Sequence, residues 1–414
     1  MLGLGRFLAV CAALGLHVAD GQGYYARVGS SYYSFAYGSF GVTGGGYYNM
    51  NYYPYTVIGG GYWNYAYSYA GFLGGGMWNS LGSSSDKSAY DVVSGGWYNH
   101  VYQPYSAIAG GHSHYVYGYA GTLAGGMYNS VYGSYASVGG GWYNRAMAHM
   151  GTVGGGWQVN NYGYRGTVVG GTWQYLYSPY TTIGGGHNAF IYAYAGYIGG
   201  GMYNYVYASY GSITGGWYNQ ANGVWSTVGG GWQCHAVGEG STVSGGEYNW
   251  AYSTYQTISG GDNNYLYAPY QVLQGGRYQY LYGYGAALAG GYANSVYGTY
   301  GSLGGGHYSR AMSTYSHIGG GWWNYVYSEY GAIGGGCYNW VGGYRAAIVC
   351  GTYSGVYSSY SVTGGGQSNY MYAPYQSLVG GHNHYLYSYG ASIGGGMYNS
   401  VYGYTGAVGG GRWN

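Results

Sequence analysis

Glu247 and Asp262 each follow directly on a Gly-Gly doublet, in a chain of 414 residues that holds only seven acidic ones. Carboxylates brought together can divide acid and base roles between them. The same two residues serve equally as solvated surface acids. Asp91, Glu239 and Glu329 are scattered. His112-x-His114 and His382-x-His384 are the other constellation. A spacing of two puts both imidazoles of a pair on one strand face, where they can chelate a transition metal. Read otherwise, they are polar substitutes at a variable position, where His187 and His307 stand singly. Four cysteines occur, Cys11, Cys234, Cys337 and Cys350. Cys337 and Cys350 are close enough to form a disulfide across neighbouring turns, leaving Cys234 free or intermolecular. Alternatively all three later cysteines are small buried hydrophobes. Glycine runs such as Gly229-Gly230-Gly231 lead into no helix start, so they are not phosphate loops.

None of this amounts to a catalytic signature. Charged residues make up 4% of the chain, nine basic and seven acidic, too few to assemble acid, base and electrostatic stabiliser. Lys87 is the single lysine, and neutralising phosphates takes many cations, so nucleic acid is not an expected partner. No enzyme activity and no cofactor are expected.

The abundant chemical group is the phenol: the chain has 70 Tyr beside 95 Gly. Phenols can be oxidised to catechol or coupled as dityrosine, which would harden or glue a secreted fibre. A flat aromatic array could instead lie on sugar rings. A regular β-face could also match a crystal lattice such as ice, although the Thr-x-Thr arrays expected there are absent from the sequence.

What positions the tyrosines is a repeat. Gly-Gly doublets begin at 45, 60 and 75, then at 95, 110, 125 and onward in the same equal steps to 410, broken once as Cys350-Gly351. That makes 25 units. The residue two before the doublet is Ile, Leu or Val in 23 of them, so it is a core position. Asn stands three after the doublet in 16 units, and the position before that one is aromatic in 17. A small or branched apolar residue follows (Val101, Val116, Val131), then Tyr (Tyr102, Tyr117, Tyr132, Tyr207, Tyr252, Tyr267, Tyr282, Tyr297), and another Tyr two or three residues on.

A fixed period without helical spacing predicts an all-β parallel solenoid, one coil per unit, with two short strands of inside–outside alternation. Glu247 and Asp262 then stack as neighbours. Glycines such as Gly60 and Gly61 make one corner, where a Cβ is excluded. Asn64, Asn129 and Asn204 make a second, since Asn tolerates the left-handed region and can stack into a hydrogen-bonded ladder. Helix and collagen are excluded by the glycine content and its period. The aliphatic core of each coil is thin, so the aromatic faces are expected to bury area by stacking and by packing on other copies.

The ends complete the organisation. Residues 1–21 read as a secretory signal, with Arg6, an apolar run from Phe7 to Val18, and small residues before Gln22. Residues 22–43 form an N-terminal segment with a degenerate capping coil, and 44–414 the solenoid, interrupted by a loop insertion at 80–89. After signal removal no segment reads as a transmembrane helix, because glycines break every apolar run. The last unit, ending at Trp413-Asn414, shows no cap, and an open coil end is expected to give either end-to-end stacking or a monomer with a frayed last coil.

The stretch Ser244-Gly245-Gly246-Glu247-Tyr248-Asn249-Trp250-Ala251-Tyr252-Ser253-Thr254-Tyr255 resembles the head repeats of trimeric autotransporter adhesins, the YadA-like head, at both glycines, the Asn, the Ala and the later Tyr. Asn129 to Val138 is similar, and the resemblance runs from Gly44 to Asn414. It implies a left-handed parallel β-roll, often trimeric, that adheres to surfaces. The small Ser that follows the Ala in that family is mostly Tyr here. The Gly-Tyr bias is similar to that of secreted invertebrate matrix, byssal or silk-type proteins. The expectation is a secreted, extracellular structural or adhesive protein whose Tyr ladders drive lateral, trimeric or end-to-end self-association. The alternative is an adhesin recognising polysaccharide or a cell surface.

Overall fold

A computed structural model describes residues 19–82 and 88–414 of the chain. The fold is an all-β parallel solenoid of about 25 turns, with no helix among the described residues. Equivalent residues of adjoining turns, such as Asn129 and Asn144, are 15 residues apart. The chain divides into two units, Met1–Asn204 and Tyr205–Asn414.

Each coil contributes two strands, nearly all of two residues. Sheet A takes the pair that follows the Asn position. In the first unit it runs from Ala19–Gly21 through Tyr115–Val116 to Phe190–Ile191, and in the second from Tyr205–Val206 to Ser400–Val401. Sheet B takes the pair before the glycine corner, such as Ala107–Ile108 and Thr257–Ile258. Strands pair parallel in strict coil register, as in Tyr115↔Ser130 and Thr152↔Thr167. A third row of single bridges follows the doublet, for instance Trp142↔Trp157 in the first unit and Trp217↔Trp232 in the second.

The strands are short because only their second residue points inward. Val101, Val116 and Val131 from sheet A and Ile108, Leu123 and Val138 from sheet B are buried, and their equivalents fill both units. A two-residue strand with one buried aliphatic cannot hold alone. Stacking identical coils supplies the continuous core.

The Asn residues complete that core. Asn64 is fully buried, and its side-chain amide donates to the Gly60 carbonyl of its own coil (2.9 Å) and to Gly76 of the next (3.0 Å). Its Oδ1 accepts the backbone N–H of Asn79 at 3.0 Å. Asn129 repeats the clasp with Gly125, Gly141 and Asn144, each at 2.8 Å. Asn204 donates to Gly200 at 2.8 Å.

This clasp changes the expected reading of both corners. The left-handed residue is not Asn64 but Trp63, at φ 55°, and likewise Tyr128 at 56° rather than Asn129. Asn is spent on satisfying buried carbonyls, and the turn moves to the residue before it. There the backbone N–H reverses direction and donates to the preceding coil, Trp63 to Tyr47 and Tyr128 to His112, each at 2.9 Å. A second left-handed residue closes the turn before sheet B, as at Tyr105 (62°) and Tyr135 (56°). Every non-glycine in that region costs about 1–2 kcal/mol, which the stack must offset. Within the doublet the demand falls on the second glycine. A Cβ on Gly61 (φ 100°) would meet the Gly76 carbonyl oxygen at 2.0 Å, whereas one on Gly110 would meet nothing within 4 Å.

The same asymmetry accounts for Cys350, which occupies a first-glycine position. The possible Cys337–Cys350 disulfide is not formed: both are free thiols, one half-buried and the other exposed, and of the three cysteines among the described residues only Cys234 is a buried one. Coil register sets Cys337 beside Thr352, while the Cys350 thiol turns to the Gly364 carbonyl at 3.5 Å.

At the N-terminal end, Ala19–Gly21 pair with Ser34–Ala36, so sheet A begins within the expected cleavage region; residues 1–18 of the expected signal lie outside the described residues. The insertion is narrower than 80–89. Ser80–Leu81 remain in sheet A and Ala89 bridges to Tyr69. Residues 83–87 lie outside the described residues. No helix among the described residues is long and apolar enough to cross a membrane.

Candidate functional site: the aromatic columns

Coil register turns each outward position into a column. The Tyr that follows sheet A stacks face to face on its equivalents. Ring centroids are 4.6 Å apart for Tyr102–Tyr117 and 4.9 Å for Tyr117–Tyr132, with planes within 12°. In the second unit Tyr252, Tyr267, Tyr282 and Tyr297 form one run at 5.3, 4.7 and 4.7 Å. Tyr207 lies parallel to Tyr205 at 6.0 Å. The column is interrupted where the sequence places Gly82, Met147, Asn222, Val237, Met312 and Gly342.

A second column stands two residues earlier on the same face. Tyr115 lies 6.2 Å from Tyr117, and Tyr175 stacks on Phe190 at 5.1 Å. Sequence reasoning missed it, because its residues vary widely, from Tyr, Phe, Trp and His to Ser, Asn, Gln, Arg, Met and Gly. A third column is made by the left-handed aromatics before Asn, such as Tyr48–Trp63 at 4.4 Å and Tyr338–Tyr353 at 4.8 Å.

The fourth column explains why the later Tyr came two or three residues on. It occupies either of two adjacent slots. Successive tyrosines in the same slot stack, as Tyr90–Tyr105 do (18°). When the slot changes, the rings meet edge to face, as in Tyr105–Tyr119 (63°) and Tyr119–Tyr135 (69°). Five of these changes fall one coil after a proline: Tyr69, Tyr119, Tyr194, Tyr284 and Tyr389 succeed Pro54, Pro104, Pro179, Pro269 and Pro374 in coil register. The next residue then donates its N–H to that proline's carbonyl, as Ala120 does to Pro104 at 3.0 Å. Aligning coils on proline would have found this in the sequence.

Stacking sets the chemistry of the columns. The ring faces cover one another, leaving edges and hydroxyls outward, and Tyr117 keeps 39% exposure. Burial between rings, then the neighbouring phenols Tyr102 and Tyr132, push the Tyr117 hydroxyl up to about 12. Tyr267 reaches about 12 for the same reasons. These phenols therefore stay neutral well above the ordinary range.

The remaining polar candidates disperse. His112 is half-buried on the outer row, but His114 is buried in the Asn column, so the two do not share a face. His114 takes the place of an Asn: Nδ1 accepts the Asn129 backbone N–H at 3.2 Å, and burial lowers its pKa to about 4. His384 does the same with Asn399 at 3.2 Å, apart from His382. Glu247 and Asp262 are neighbours in the bridge row, but Asp262 is paired with Arg277 at 2.8 Å, which ties one of the two acids to a cation. Asp91 is buried in the core, held by the Ser88 hydroxyl and the Ser106 N–H, and burial raises its pKa. Some outward arginines rest on tyrosine rings, such as Arg277 on Tyr278 at 4.9 Å and Arg345 between Tyr330 and Tyr344 at 5.4 and 5.3 Å. No group of three or more His, Cys, Asp or Glu able to hold a metal occurs among the described residues. No known protein family matches the chain, and no curated protein matches it.

Proposed function

We propose that the chain is a secreted extracellular structural or adhesive protein, not an enzyme, and that its tyrosine columns drive self-association. The observation that carries this reading is the outward aromatic column repeated coil after coil on a surface with almost no charge to repel a second copy. The edges and hydroxyls of one column can interleave with those of another copy at the common coil spacing of ~4.8 Å.

The finer likeness, to the trimeric heads of autotransporter adhesins with their left-handed coils, is supported by the length of the turn, the glycine corner and the buried Asn. The stacking geometry weighs against a sugar-binding platform, since rings 4.6 Å apart leave no face free for a sugar to lie on. The ice-binding alternative gains one file of hydroxyls on sheet B, Thr152, Thr167 and Thr182, without the second file that would make a lattice.

Electron microscopy of the purified secreted protein, with mass spectrometry of its tyrosines, tests the proposal. Fibres or bundles with an axial repeat of ~4.8 Å are expected. Discrete particles at high concentration that are retained on polysaccharide would sink it in favour of the adhesin.

A further inference from the structure

The bridge row after the glycine corner holds a motif that self-association does not use. At three places a histidine is followed one coil later by a methionine in direct bridge register: His112↔Met127, His187↔Met202 and His382↔Met397. The surroundings recur with it. The residue after each methionine is a tyrosine set edge to face against the imidazole, Tyr128 at 5.4 Å, Tyr203 at 5.7 Å and Tyr398 at 5.5 Å. Each histidine is half-buried, and the methionines keep 40, 40 and 42% exposure. A thioether and an imidazole are thus held side by side at a strand spacing of ~4.8 Å, with an aromatic wall on one flank.

We propose that each His–Met pair binds one soft monovalent d10 cation, of the copper(I) or silver(I) class. Thioether sulfur selects soft ions and imidazole suits copper. Structural zinc needs four ligands, whereas each site here offers two. Low coordination is the condition that these monovalent ions accept. At the third site the Asn383 side-chain amide lies 3.1 Å from His382 Nδ1. The amide nitrogen donates to that ring nitrogen and fixes the orientation of the imidazole. His307 is the internal control: it lies in the same row, but its neighbours are Tyr292 and Trp322, with no methionine.

The test is a titration of the full chain with silver(I), in a C11S/C234S/C337S/C350S background so that no thiol competes; Ser already occupies the Cys234 row at Ser309 and Ser354. Three equivalents are expected to bind. Met127→Leu, Met202→Leu and Met397→Leu are volume-conserving changes, and each removes one equivalent. His307→Ala leaves the number unchanged. Loss of the methionine methyl resonances of residues 127, 202 and 397 from their apo positions in NMR spectra reports the same sites independently of stoichiometry. Absence of binding to the folded chain overturns the proposal. So does a stoichiometry that survives all three Met→Leu changes.

Discussion

Sheets A and B share one backbone plan: two-residue parallel strands, one residue in and one out, in the same coil register. Their outward faces nevertheless differ in their prevailing residues. Sheet A carries Tyr115, Tyr175, Tyr265 and Tyr325 and is continued by the stacked Tyr column. Sheet B carries Ala107, Thr122, Ser137, Thr152 and Thr167, flanked by Ala109, Ala124, Gly139 and Gly154, which leave a shallow groove lined by small side chains. The fold is indifferent to this choice, since the inward residues and the corners hold it. Outward composition is therefore where a role beyond folding is written, and it concentrates on one side.

Four experiments break or sharpen that contrast. The largest effect should come from neither face but from the corner. A Cβ on Gly126 (φ 93°) would meet the Gly141 carbonyl oxygen at 2.1 Å, so Gly126→Ala should cost on the order of 3 kcal/mol. Gly125→Ala should stay within about 0.5 kcal/mol. Hydrogen exchange of the adjoining coils, which opens locally in repeat proteins, distinguishes the two.

Acid is the next lever. His114 is neutral in the fold, with a pKa near 4 against an ordinary 6.5. Its contribution is fully present above pH 6.5 and declines as pH falls from 6.5 towards 4, because the unfolded chain binds the proton first. His114→Asn, which restores the usual clasp, should flatten the dependence of coil protection on pH across that window. An unchanged profile would show that His114 is not its source.

A direct comparison of the faces follows. Tyr117→Ala removes a ring from the middle of a column and should cost about 1–2 kcal/mol while lowering self-association in sedimentation. Thr167→Ala on sheet B should shift stability by no more than about 0.5 kcal/mol and leave association alone. Equal loss of association from both would erase the distinction.

The smallest effect is a gain. Ala120 sits at φ 53° without a ring to stack, a slot filled by Gly at 240, 285 and 390. Ala120→Gly should therefore raise stability by about 1 kcal/mol in denaturant melts.

Much of this architecture can be read in the sequence because a strict period leaves little choice of register. Ile108 and Val116 announce the core by type alone. The corner is harder to read, because Asn has two talents and the period cannot say which is used. The clasp at Asn64 takes its hydrogen bonding and leaves the left-handed turn to Trp63, a residue type for which that backbone is unusual. The histidine pairs misled for the same reason. Ser113 and Asn383 between them are left-handed, at φ 57° and 56°, and this breaks the alternation that a spacing of two assumes. The true neighbour of His112 lies a full coil away in Met127, where adjacency in space carries no local signature in the chain.

The Asn clasp also has a genetic consequence. Its partners lie 4 residues back and 12 and 15 residues ahead, so every interaction refers to the coil's own length. Across the insertion, Asn79 makes the same bonds at separations of 17 and 20, so the coil register is kept on both sides of the added residues. A gene for such a chain can gain or lose one coil's worth of codons anywhere in the array, and the ends on either side rejoin in register. Length then becomes a countable heritable trait, open to unequal recombination among near-identical repeats. Any other indel must be expelled to the surface or break the stack.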